Sequence, residues 1–197
     1  MRFVSAALCL VSVMFAQAAS GATIEGTVKA TGLPSGADAI VYIQQAAGTF
    51  AAPATPVTLD QRSMQFSPHV LPLVVGSTVR FLNNDPTAHN VFSPDHEKYN
   101  LGTWPQGQSK DHTFATCVKA PCAYVQLCRV HPEMEGYVVV LQNPFFAVTS
   151  ADGHYKIENV PPGNYTVAVW HAKEKAQPKP VTVDAARPTT TDFVLTK

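Results

Sequence analysis

Apolar residues in this chain fall into short runs or alternate with polar ones, and frequent turn signals separate them. Such runs are Ile24–Val28, Ala39–Ile43, Val70–Val75, Ser77–Leu82, Tyr124–Leu127, Tyr137–Leu141, Tyr155–Val160, Tyr165–Trp170, Val181–Val183 and Asp192–Leu195. Between them lie Leu33-Pro34-Ser35-Gly36, Asn83-Asn84-Asp85-Pro86, Asp152-Gly153 and Pro161-Pro162-Gly163-Asn164. No long stretch keeps a 3.6-residue period with helix caps. Short strands with frequent turns predict an all-β chain built as sandwiches or barrels. No internal repeat and no low-complexity segment interrupts the pattern.

The N-terminus departs from it. Arg2 precedes an apolar run from Phe3 to Phe15, and Ala16-Gln17-Ala18 supplies a small-x-small cleavage pattern. This reads as a secretory signal peptide over residues 1–18. Its apolar stretch is short for a membrane span, and the mature chain has no span of its own. The expected compartment is periplasmic or extracellular. Composition then removes one function class. The 14 basic and 14 acidic residues give a net charge of zero, without a basic arm, so nucleic acid is excluded as a partner.

With the signal gone, the cysteines are Cys117, Cys122 and Cys128. An odd count in an oxidising compartment calls for one disulfide and one thiol with a separate task. Cys128-Arg129-Val130-His131-Pro132-Glu133-Met134 has C-x-x-H-x-x-M spacing between two strand-like runs. A loop there brings thiolate, imidazole and thioether together. His89, after the run Ser77–Leu82, offers a second imidazole. Two His and one Cys with a weak axial Met is the donor set of a blue copper site, whereas structural zinc takes four strong Cys/His ligands.

These motifs resemble the cupredoxins, in particular the plastocyanin and amicyanin kind. The similarity covers roughly residues 57–141: Gly76-Ser77-Thr78-Val79-Arg80-Phe81, His89-Asn90-Val91 and the Cys128–Met134 loop. The resemblance implies one type 1 copper, with His89, Cys128 and His131 equatorial and Met134 axial. It also implies that Asn90 steadies the Cys loop, and that redox protein partners dock near His131 and Pro132. A second resemblance, to the carboxypeptidase regulatory-like (transthyretin-like) domain, rests on two separated regions. Thr149–Tyr155, Val160–Tyr165 and Phe193-Val194-Leu195 match its second half, and Ile24–Val28 with Ala39–Ile43 its first. The expected organisation is a discontinuous sandwich from residues 23–51 and 145–197, with a cupredoxin domain inserted at 52–144. The combination resembles bacterial methylamine-utilisation-like proteins.

Cys117-Val118-Lys119-Ala120-Pro121-Cys122 is an addition to the cupredoxin pattern. Either these two cysteines pair, leaving Cys128 free, or one of them joins the metal. Met64 reads as core or edge packing, and His69, His96, His112 and His154 as surface residues. Trp170-His171 is either interface packing or an exposed handle. The expected function is an extracytoplasmic, non-enzymatic carrier of single electrons. The alternative is a cell-envelope binding or structural protein, or a copper-handling one, whose copper site is accessory.

Overall fold

The computed structural model describes residues 21–32 and 35–197. The signal segment and Leu33-Pro34 lie outside the described residues. The described chain is all β, and no helix among its residues is long and apolar enough to cross a membrane.

Four sheets stack face to face. The outermost contains β1 (Ala22–Ala30), paired with β13 (His154–Val160), β16 (Thr189–Thr190) and β17 (Phe193–Leu195). The next runs in the order β12 (Phe146–Val148), β2 (Ile40–Ile43), β14 (Gly163–Trp170) and β15 (Lys179–Val183). The third runs in the order β5 (Val70–Val74), β11 (Glu135–Leu141), β10 (Cys122–Leu127), β7 (His89–Ser93) and β8 (Tyr99–Trp104). The fourth runs in the order β4 (Gln65–Ser67), β3 (Val57–Arg62), β6 (Thr78–Asn83) and β9 (Ser109–Thr113). Strands from the two ends of the chain therefore share sheets, and β3–β11 form two sheets of their own.

Side-chain parity explains the stacking. On β2, Val41 and Ile43 enter the core with Ile24, Ile157 and Phe193, while Ile40 and Tyr42 face the other way. On β11, Val138 and Val140 enter the core with Phe81, Phe114 and Tyr124, while Val139 and Leu141 face outward. The two outward sets meet with Val70 and Ala168 in a third core. Continuous apolar runs such as Ile40–Ile43 and Val138–Leu141 are what strands covered on both faces require. Trp170 packs against this third core, 5.4 Å from the Tyr137 ring, which decides its role as interface packing. Gly153 makes the turn after β12 at φ +83°, where a Cβ would lie 2.3 Å from the Val28 carbonyl oxygen.

One expectation about a single residue is narrowed and one corrected. Met64, expected as core or edge packing, lies half-buried at the sheet edge and not in the core. With Ser63 it forms the two-residue turn of the β3–β4 hairpin, at φ 60° and 54°. His112 is not a surface residue either. Its ring stacks on Tyr99 at 3.9 Å and meets the Phe114 edge at 4.8 Å, leaving the side chain 19% exposed. His69, His96 and His154 are exposed.

Candidate metal centre

Three strand ends build the site. His89 opens β7, Cys128 follows the last residue of β10, and Met134 precedes the first residue of β11. Leu127 of β10 pairs with Phe92 of β7, so the Cys128 and His89 ends lie side by side. The approach to His89 is pinned by buried Asn83, whose amide donates to the Thr87 and Trp104 carbonyls at 2.9 and 3.0 Å. Its Oδ1 accepts the Asp85 N–H at 3.0 Å, closing an Asx turn.

His89, Cys128 and His131 converge. The Cys128 Sγ lies 3.9 Å from His89 Nδ1 and 3.8 Å from His131 Nδ1, and the two Nδ1 atoms are 2.9 Å apart. The point equidistant from the corners of that triangle is about 2.1 Å from each, and metal–imidazole and metal–thiolate bonds are ~2.0–2.3 Å. The donor set therefore fits a single soft or borderline metal ion. His89 and Cys128 are buried and His131 is half-buried, which leaves one imidazole toward solvent. Met134 is fully buried in the same apolar core as Cys128, and its N–H donates to the His131 carbonyl at 3.0 Å. The loop is thus closed on itself between its second imidazole and its thioether.

Asn90 meets the sulfur through its backbone and not through its side chain. The backbone N–H of Asn90 points at Cys128 Sγ, at 3.4 Å. The Asn90 side chain turns instead to β8, donating to Asn100 Oδ1 and the Gly102 carbonyl at 2.8 and 2.7 Å. A register irregularity between Asn90 and Phe92 in the β7–β8 pairing accompanies this arrangement. Arg129 lies over the Phe92 ring at 5.0 Å, anchoring the loop just after the thiolate.

The second cysteine question is resolved by geometry. Cys117 and Cys122 are disulfide-bonded, and Cys128 is the free cysteine among the described residues. The disulfide sits at the far end of β10 from the donor cluster.

Asp85 is the neighbour that the sequence reading missed, since it looked like one more turn residue in Asn83-Asn84-Asp85-Pro86. Its carboxylate is buried and meets His89 Nε2 at 2.8 Å, on the side of the ring away from the other donors. It also accepts the Ser63 and Met64 N–H groups at 2.6 and 2.9 Å. Burial pushes the Asp85 carboxyl up, but the bonds from Met64, His89 and Ser63 together outweigh it and hold the group below the usual carboxylate range. The available signal was the four-residue spacing from Asp85 to His89.

Comparisons with known proteins can be set beside this geometry. The model of the carboxypeptidase regulatory-like domain matches residues 133–196. No curated protein matches the chain. Among solved structures, a copper-containing nitrite reductase from Thermus scotoductus is 29% identical over 49% of this chain and 25% of its own, with a TM-score of 0.40. A purple cupredoxin from Nitrosopumilus maritimus is 25% identical over 43% of this chain and 98% of its own, with a TM-score of 0.37. A reduced amicyanin variant is 25% identical over 51% of this chain and 97% of its own, with a TM-score of 0.39. The chain thus spans a quarter of the nitrite reductase and nearly all of the two smaller proteins.

Proposed function

We propose that this chain is an extracytoplasmic type 1 copper protein that carries single electrons between redox partners. The observation that carries the reading is the convergence of one thiolate and two imidazole nitrogens on a point about 2.1 Å from each. Copper supplies one-electron chemistry there, as Cu(I) or Cu(II). In this reading His89, Cys128 and His131 would hold it, with Met134 as the fourth, weaker ligand. Buried Cys128 and Met134 keep water from the sulfur atoms, and the Asn90 N–H steadies the thiolate. Three strong donors and a thioether leave no open position for substrate, which favours a carrier over an enzyme.

Partners are redox proteins that dock on the surface around His131, where Val130 is 48% exposed beside it. A transient redox contact needs only a small patch of this kind. The chain is organised in this reading as a sandwich from residues 23–51 and 145–197, with the copper domain inserted at 52–144. Residues 1–18 direct it out of the cytoplasm, to the periplasm or beyond.

The test is a visible and EPR titration of the purified mature protein with Cu(II). An intense thiolate-to-copper band with narrow parallel hyperfine splitting is expected, and Cys128→Ala abolishes it. A weak band with ordinary hyperfine splitting, or a preference for zinc, refutes electron carriage and favours metal handling.

A further inference from the structure

We propose that Glu97 and His112 form a second metal site, remote from Cys128, that takes one divalent transition-metal ion such as Zn(II) and ties the β7–β8 loop to β9. The proposal does not rest on the copper reading above.

The two side chains come from different sheets. Glu97 lies in the loop between β7 and β8 of the third sheet, and His112 on β9 of the fourth. Glu97 Oε1 stands 3.8 Å from His112 Nε2, too far for a hydrogen bond. Donor atoms held at ~2.0–2.2 Å by one ion stand about 3.4 Å apart at a tetrahedral angle, and at 3.8 Å they subtend about 130°. A small torsion of Glu97, whose side chain is 28% exposed, brings both onto one ion. His112 Nε2 is buried and has no hydrogen-bond partner among the described residues. A buried polar atom in that state calls for a partner. Burial also holds His112 below the ordinary histidine range, against the raising effect of Glu97, so the ring offers a lone pair at neutral pH.

Both donors are held by their neighbours. Tyr124 Oη donates to Glu97 Oε1 at 3.2 Å, and Thr116 Oγ1 to Oε2 at 3.2 Å. One hydroxyl on each oxygen orients the carboxylate and leaves Oε1 a lone pair. Glu97 is flanked by His96 and Lys98 at φ 43° and 44°, left-handed positions that persist only where the surroundings hold them. The His112 ring is fixed by its stack on Tyr99 and by the Phe114 edge. Ligands oriented by partners of this kind are what a metal site requires.

The local charge favours a cation. The Lys and Arg pairings among the described residues go to Asp60, Asp111 and Glu158, so no such side chain competes for Glu97. Asp95, on the same loop, accepts the Val125 N–H at 2.8 Å and adds a second negative charge. Two protein donors leave the other positions to water or to the exposed imidazole of His96, whose ring lies 4.8 Å from that of Tyr124. Tyr124 precedes Cys128 by four residues, about 13 Å along the strand, so the two sites are separate.

The experiment uses the full mature chain carrying Cys128→Ala, which removes the thiolate, and Zn(II) as the probe. Binding is read by competition with a chromophoric chelator and by 15N-histidine NMR. His89 and His131 remain in every variant, so any Zn(II) they retain is common to all. Cys128→Ala is expected to bind one equivalent more than Cys128→Ala/His112→Phe, with the His112 Nε2 signal shifted by the ion. Glu97→Gln in the same background, which keeps the size of the side chain, should weaken that equivalent at least about 10-fold, since loss of an outer partner alone costs that much. Equal stoichiometry and affinity with and without His112 overturns the proposal. So does a His112 signal that titrates with pH but does not move with Zn(II), which leaves Glu97 and His112 an ion pair. Should the His112→Phe chain fail to fold, Glu97→Gln and the NMR signal decide.

Discussion

Ile40 tests whether the two pairs of sheets unfold as one body. It is fully buried in the third core, with Val70, Val139 and Leu141 as its aliphatic partners. At ~1.5–3 kcal/mol for each fully buried aliphatic side chain, these four contribute roughly 6–12 kcal/mol of gross burial. Burial figures of this kind are upper bounds. Even so, the sum is comparable with the ~5–15 kcal/mol that holds a whole domain together. A shared core of that size makes independent unfolding of either pair costly. Differential scanning calorimetry of the wild type should therefore give a single transition with equal calorimetric and van't Hoff enthalpies. Ile40→Val should cost ~0.5–1.5 kcal/mol and Ile40→Ala ~2–5 kcal/mol, because no part of the site faces water and collapse is resisted from both sides. In a chain of this size a 3 kcal/mol loss lowers Tm by about 6–12 °C. Two resolved transitions in the wild type, or a loss under about 1 kcal/mol for Ile40→Ala, would refute the shared-core reasoning.

Three further outcomes can be checked. The Cys117–Cys122 bridge closes a loop with a sequence separation of 5; replacing both by Ala should cost about 2 kcal/mol in urea unfolding by loop entropy, and should leave the copper spectrum unchanged. Met64→Gly should stabilise the chain by ~0.5 kcal/mol in the same assay, since Gly relieves a left-handed residue at some entropic cost and the N–H donated to Asp85 is kept. Burial holds His112 below the ordinary histidine range, against the raising effect of nearby Glu97. A depressed folded-state value means that the stability His112 contributes is present above its unfolded pKa, near 6.5, and is lost as pH falls through the folded one. His112→Phe should accordingly flatten the decline of Tm between about pH 7 and 5; an unchanged slope contradicts the assignment.

The ten strands with apolar runs were legible in the sequence, whereas β3, β4, β7, β8, β9, β12 and β16 were not, even where, as in β7, the strand is buried. β8 and β9 show no apolar run because their side chains point mostly to solvent, as Ser109-Lys110-Asp111-His112-Thr113 shows. They are strands because their backbones complete the edges of two sheets. The Cys128–Met134 loop was legible because its donors lie within one short segment. His89 was legible only beside that loop, since the pairing of β7 with β10 joins positions far apart in the chain. Asp85 was not legible as a neighbour of the site. Its partners are one backbone turn at Ser63-Met64 and one ring nitrogen, and neither leaves a mark on composition or periodicity. His112 was misjudged for a related reason: a polar residue on a polar strand is covered by the Tyr99 ring of β8 and by Phe114, just past the end of its own strand.

The third core bears on the donor cluster through a single strand. β11 begins at Glu135, directly after Met134, and ends at Leu141 in the third core. Its alternate residues lie in two different cores, so it is gripped on both faces along most of its length. On one side β10 pairs with it from Cys122 to Leu127 and delivers Cys128; on the other β5 pairs with it over five residues. The loop that carries Cys128, His131 and Met134 thus leaves one strand of this sheet and re-enters a strand covered on both faces. Functional side chains are held most closely when the elements that bear them are packed and do not drift. On the proposed electron-carrier reading, accepting and releasing electrons with little rearrangement gains from that placement. The outer pair of sheets, which contributes no donor to the cluster, contributes the second face of the strand on which the loop is anchored.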